Sequence, residues 1–162
     1  MTRTATRSTT RSTAAAELRY AILAAQREGN RLLAAQLKPL DVTPSQAEVI
    51  TVLGERGSLT LKGLGELLVC ETGSPSRLVD SLVRRGIVDR VDNPTDRREV
   101  LLELTADGQK LRPRVAKAEA SINDALLDAF GDDGVAAVAA KARDFLAGSN
   151  AGAALERRFG GR

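Results

Sequence analysis

Apolar and small residues recur every three or four positions along much of this chain, the period of helices with one buried face. Residues 14–38 carry Leu18, Ile22, Ala25, Gly29, Leu32 and Gln36 at these steps, and Pro39 ends the run. Thr43-Pro44-Ser45-Gln46 is a helix start with a capping threonine, a first-turn proline and a glutamine that completes a capping box. That helix carries Ala47, Ile50, Val52 and Leu53 and is expected to stop near Gly54–Gly57. Thr60 caps a third helix through Leu61, Leu64, Leu67 and Leu68, weakened by Gly63 and Gly65. A fourth begins between Thr72 and Pro75, with Ser74 the tidiest cap, and buries Leu78, Val79, Leu82 and Val83. Gly86 closes it.

The period then changes. Ile87–Val91 and Glu99–Leu104 are strand-like and flank the turn cluster Asp92-Asn93-Pro94-Thr95-Asp96. Val100, Leu102 and Leu104 alternate with Leu101 and Glu103. Thr105 caps a long helix with a stripe of Leu111, Val115, Ala118, Ile122, Leu126 and Ala129, which Pro113 is expected to kink. Gly131-Asp132-Asp133-Gly134 breaks the chain before a last helix with Val135, Val138, Ala142 and Phe145 on one side.

These elements predict a mainly α fold with a small β-wing: a winged helix–turn–helix core at 41–104, flanked by N- and C-terminal dimerisation helices at 14–40 and 105–147. The flanking helices are apolar over more length than so small a reader can cover, so their surplus faces are expected to bury against a second copy. The leader 1–13 is basic, hydroxyl-rich and acid-free, as transit peptides are. It has no large apolar residue beyond Met1 from which to build an amphipathic face. It is expected to be a disordered basic tail, either touching phosphates or simply mobile. Residues 148–162 are expected to be weakly ordered or to form one turn around Leu155.

Composition narrows the chemistry. Aromatics are only 2%, so the core must be Leu, Val, Ile and Ala. The absence of His and the single Cys exclude a His-based triad and a Cys/His zinc cluster, and neither a metal nor another cofactor is expected. One cysteine cannot form an internal disulfide, which fits a reducing, cytoplasmic setting. No apolar run approaches the ~20 residues of a membrane span. The net charge of +3 permits nucleic-acid binding without arguing for it. Arg outnumbers Lys, which favours forked contacts to phosphate and guanine or reflects a GC-rich genome. The order of parts says more. An amphipathic helix followed by an arginine-tipped hairpin offers one element to a DNA major groove and another to the flanking minor groove.

Three stretches carry a family likeness: VTPSQAEVI at 42–50, SRLVDSLVRRGIVDR at 76–90 and DNPTDRREVLLELTADGQKL at 92–111. Together they resemble the MarR family of bacterial winged helix–turn–helix regulators, the match running from about Val42 to Leu111. The resemblance implies that Arg98 enters the minor groove from the wing tip and that Asp96 orients it; the alternative is a hairpin salt bridge. Arg97 is a third DNA-binding candidate of the wing, with a phosphate contact alone as the alternative. Ser74, Ser76 and Arg77 are candidates for the major groove, where short hydroxyls allow close entry and Arg can take guanine O6 and N7 together. Their alternative is a solvated helix face. Pro75 replaces the family's usual β-branched residue. Arg84, Arg85 and Arg90 are phosphate-contact candidates, or plain surface charges.

The resemblance also implies a small aromatic or phenolic effector, with Tyr20 as a candidate pocket residue or ordinary packing. The family's peroxide-sensing cysteine near the start of the first helix is missing here. Cys70 is read as a core thiol, with a redox switch as the sharper alternative. The expected function is therefore a homodimeric, sequence-specific regulator of transcription, more a repressor than an activator, on near-palindromic double-stranded DNA. Two rivals remain. One is a winged-helix protein–protein interaction module without DNA binding. The other is an enzyme built on carboxylates, Lys or Cys70, for which no Walker loop or nucleophile–base pair speaks.

Overall fold

The computed structural model describes residues 3–69 and 74–160, with side chains from residue 12 onward. α1 runs over Arg3–Leu37. The leader expected to be disordered is thus helical from Arg3. No Pro or Gly interrupts it, and extending a nucleated helix costs little per residue. A 3-10 turn, Lys38–Leu40, ends in left-handed Asp41, whose N–H donates to the Lys38 carbonyl.

α2 spans Pro44–Arg56 behind the expected capping box. The Gln46 N–H donates to Thr43 Oγ1 at 3.2 Å, and Gln46 Oε1 accepts the Thr43 N–H at 3.0 Å. α3 is only Leu61–Gly65, shorter than the expected run to Leu68. Two glycines in five positions cost about 1 kcal/mol each, more than so short a helix can offset. α4 covers Pro75–Arg84 with Ser74 as N-cap; the alternative start at Thr72 lies outside the described residues, as does Cys70.

The end of α4 is a Schellman motif. The Gly86 N–H donates to the Val83 carbonyl at 2.9 Å and the Ile87 N–H to the Leu82 carbonyl at 3.0 Å, with Gly86 at φ +66°. The chain leaves that turn directly into β2 (Val88–Asp92), which pairs antiparallel with β3 (Val100–Leu104) from Val88 opposite Leu104 to Asp92 opposite Val100. The sheet has a third strand. β1 (Leu59–Thr60) pairs with the other edge of β3, in the order β1-β3-β2. Two residues are too few to show alternation, so nothing in the pattern announced it.

α5 spans Ala106–Leu146, capped by Thr105. Its one non-helical residue is Gly131, at φ 67° and ψ 168°, a region essentially reserved for glycine. The expected break is therefore a one-residue kink. Pro113 lies inside the helix with helical backbone angles, two turns from the N-terminus, where it removes one donor. α6 (Asn150–Phe159) is a longer helix than the weak order or single turn around Leu155 expected there. Ser149 caps it by accepting the Gly152 N–H at 3.0 Å, and Ala154 is buried.

The core lies between α2, α4, α5 and the sheet. Ile50, Leu53, Leu64, Val79, Leu82, Val88, Leu102 and Val115 are all essentially inaccessible to water. Each such side chain contributes about 1.5–3 kcal/mol by leaving water. Leu37 brings the end of α1 into the same cluster. The rest of α1 and the second half of α5 leave large apolar side chains exposed: Leu18, Tyr20, Ile22, Phe130, Val138 and Phe145. No helix among the described residues is long and apolar enough to cross a membrane.

Candidate nucleic-acid interface

Two basic elements, joined through β2, form the candidate interface. The first is α4. Its buried stripe fixes which face is turned outward, leaving Arg77 and Arg84 exposed. Ser74 is exposed and Ser76 half-buried, and their hydroxyls hydrogen-bond to each other. Ser74 consequently spends its side chain on Ser76 rather than on capping, and α4 has no side-chain cap hydrogen bond. At the start of α4, Pro75 has no N–H and the Arg77 N–H donates to the Ser74 carbonyl at 2.9 Å. The helix is pinned from behind: Gln46 Nε2 donates to Ser81 Oγ at 2.9 Å, so the residue that caps α2 also fixes α4.

The second element is the loop between β2 and β3. Asn93 is 8% exposed and organises it. Its Oδ1 accepts the Thr95 N–H at 3.0 Å and the Thr95 hydroxyl at 2.7 Å, while its Nδ2 donates to Glu99 Oε2 at 3.3 Å. Asp96 then turns the tip, its Oδ1 accepting the Arg98 N–H at 3.0 Å. The aspartate thus holds the backbone of Arg98 and not its guanidinium. Arg97 and Arg98 are exposed, and neither side chain has a hydrogen bond or ion pair among the described residues. The alternative of a salt bridge between Asp96 and Arg98 does not occur.

The phosphate candidates divide. Arg84 is free among the described residues. Arg85 reaches Asp41 Oδ2 and the Leu40 carbonyl, each at 3.4 Å. Arg90 is held on Asp80 Oδ1 at 2.6 Å, a bond from β2 to α4 that fixes the wing against the helix. The sequence pattern by itself assigns no site role to Asn93 or Asp80. The first is one polar residue in a turn cluster, and the second has its partner ten positions away on another element.

The wing is joined to α5 as firmly as to α4. The Ile87 carbonyl accepts the Thr105 N–H at 3.1 Å, and Thr105 Oγ1 donates to the Gly86 carbonyl at 2.6 Å. Gly108 lies so close that a Cβ there would stand 2.3 Å from the Ile87 oxygen. A shallow cavity between the wing and α3 is lined by Thr60, Leu61, Arg90, Glu99, Val100 and Leu102. Tyr20 is not among them. It is 60% exposed on α1, with the Arg19 guanidinium 4.2 Å from its ring centroid. No group of metal-ligating side chains occurs among the described residues.

Residues 42–100 match the MarR family. The chain is similar to that family over this winged-helix region. Over 79 residues it is 38% identical to the multiple antibiotic resistance protein MarR of Salmonella typhimurium, covering 49% of this chain and 55% of that protein. It is 27% identical over 106 residues to the organic hydroperoxide resistance transcriptional regulator of Bacillus subtilis, covering 65% and 72% respectively. The chain thus spans about half the length of the first of these relatives. Among solved structures, a mutant MarR from Escherichia coli complexed with operator DNA superposes with a TM-score of 0.72 at 28% identity. The match covers 80% of this chain and 94% of that one. The mainly helical fold with its three-stranded wing is the winged-helix fold of these MarR structures, and the terminal helices fit their dimerisation arrangement.

Proposed function

We propose that this MarR-family chain is a homodimeric transcriptional regulator, acting in the cytoplasm as a repressor on near-palindromic double-stranded DNA. α4 enters a major groove, with Ser74, Ser76 and Arg77 toward the bases. The wing places Arg98 in the adjacent minor groove, whose narrow, negative A·T-rich stretches attract arginine. Arg84 and Arg97 meet phosphates. Arg85 and Arg90 can do so only by sharing or giving up Asp41 and Asp80. The single observation that carries this reading is the set of exposed arginines at α4 and the wing tip that are unpaired among the described residues: Arg77, Arg84, Arg97 and Arg98. The likeness to a MarR–operator complex supports it. Two-fold symmetry of a dimer makes the site near-palindromic. The dimer follows from the exposed apolar faces of α1 and α5. A small aromatic or phenolic effector that releases the DNA would lie beside Tyr20, on the same uncovered face.

Duplex binding titrated with salt tests the reading. Affinity should fall steeply, log K losing about 0.9 per neutralised phosphate for each tenfold rise in salt. Arg98→Ala should weaken binding and remove preference for A·T-rich flanks. Arg84→Ala should weaken all duplexes alike. Binding that is absent or independent of salt would leave the chain a protein–protein interaction module.

A further inference from the structure

α6 is anchored beside the chain segment that feeds α4. Arg158, near its C-terminus, is 12% exposed. Its Nη1 donates to Glu48 Oε1 on α2 at 3.0 Å, and its Nε lies 4.0 Å from Glu55 Oε2, without a hydrogen-bond partner. Glu119 of α5 belongs to the same group. Its Oε2 accepts the Thr51 hydroxyl at 3.0 Å. Burial pushes its carboxyl above the ordinary range against the pull of Thr51 and Arg158, and Glu55 and Glu48 add to the rise. One arginine thus serves three carboxylates from two elements. Withdrawing it would remove a cation from beside these partly desolvated carboxylates, so its seat is strongly held.

The Glu48 oxygen that takes Arg158 also takes the Val69 N–H, at 2.8 Å, in the connection between α3 and α4. Arg157 reaches that connection too. Its Nη1 donates to the Glu66 carbonyl at 3.3 Å, and its Nε lies 4.0 Å from the Glu66 carboxylate. Arg56, at the end of α2, closes the arrangement from the other side. Its Nη2 donates to the carbonyls of Arg157 at 3.0 Å and Arg158 at 3.2 Å, placing a cation at the negative end of α6. Within α6 only Ala154 is buried. The helix is therefore fastened chiefly by polar groups, and those groups converge on the turn of the helix–turn–helix and not on the core.

We propose that α6 is a strap that positions residues 66–69, which follow α3, with Arg158 acting as the positioning residue through Glu48. Contacts at the far end of the chain then set how α4 is presented. Only this last step, from connection to DNA, rests on the function proposed above.

The test uses the full chain with Arg158→Gln, Glu48→Gln and the double variant, read by hydrogen exchange without DNA and by duplex affinity. Glutamine at 48 keeps an acceptor for Val69 but loses the ion pair. Arg158→Gln should speed exchange at Val69 by about tenfold, while the sheet amides of Val88 and Leu102 stay protected. The double variant should go little further than either single one, because both remove one interaction. Duplex affinity should fall severalfold. Unchanged Val69 exchange in Arg158→Gln overturns the strap. Should that variant lose sheet protection as well, Arg158→Lys decides, since it keeps a charge for Glu48. Restored sheet protection with Val69 exchange between the two supports the strap, and Val69 moving only together with the sheet overturns it. If Val69 responds as expected but wild-type protein shows no salt-dependent duplex binding, the strap stands and the DNA reading falls.

Discussion

Gly108→Ala puts one methyl group where the wing meets α5. An alanine Cβ at this position would lie 2.3 Å from the Ile87 carbonyl oxygen and 3.2 Å from Leu104 Cβ, whereas ordinary contacts begin near 3.4 Å. Backbone must therefore retreat by about 1 Å, because a carbonyl oxygen cannot swing aside as a side chain can. Such overpacking costs about 1–3 kcal/mol. The retreat also disturbs the Ile87 oxygen as acceptor of the Thr105 N–H, at 3.1 Å, for a further loss of about 1 kcal/mol. Alanine returns about 0.5–1 kcal/mol through its better helix propensity. The balance is a loss of about 2 kcal/mol. With a urea slope of about 2 kcal/mol per molar, the unfolding midpoint should drop by about 1 M, read by circular dichroism at one fixed protein concentration. A midpoint that stays put or rises would refute the argument, since it would mean that helix propensity, and not the Ile87 contact, governs this position.

Glu119→Gln tests the acidic group under α6. Burial raises the folded pKa of Glu119 above its unfolded value, so its proton stabilises the native state at acid pH, and that contribution is lost as pH rises through the folded pKa. The variant should therefore be more stable than wild type near neutrality, and urea midpoints should show the gain shrinking toward about pH 4; a gain that grows toward acid would reverse the sign. Arg90→Ala should leave the salt slope of DNA binding nearly unchanged while Arg84→Ala lowers it by about one unit, because Arg90 is already held by Asp80; equal slopes for the two variants count against this division. Arg77→Lys keeps the charge but loses the planar fork, so selection from random duplexes should show relaxed preference at one position of each half-site, worth about 1–3 kcal/mol, with non-specific affinity retained. Ile22→Glu, on the exposed apolar face of α1, should convert a dimer to a monomer in light scattering, and a wild-type particle near 17 kDa would dismiss the dimer itself.

Local chemistry was legible without coordinates wherever partners lie within a few positions. The Thr43–Gln46 capping box, the Gly86 stop, the Thr105 cap and the β2–β3 hairpin each depend on neighbours in sequence, and each formed where the pattern placed it. The resemblance to MarR proteins rested on the same contiguous stretch, which the MarR family model matches at residues 42–100. Elements too short or too plain to carry a period were missed: β1 is two residues, and the first residues of α1 lack an apolar stripe.

What tertiary structure alone decided is the pairing of charges. Sequence counts Arg84, Arg85 and Arg90 as three equivalent cations. Folding gives Arg90 to Asp80 and sets Arg85 beside Asp41, leaving Arg84 free among the described residues. It brings Arg158 to Glu48 across more than a hundred residues and makes an ordered helix of a tail that composition alone read as weakly ordered. The physical reason is range. Helix periods, caps and turns are set by contacts between near neighbours in the chain. An ion pair instead forms between whichever opposite charges the packed core sets a few ångströms apart, and no local pattern records that distance.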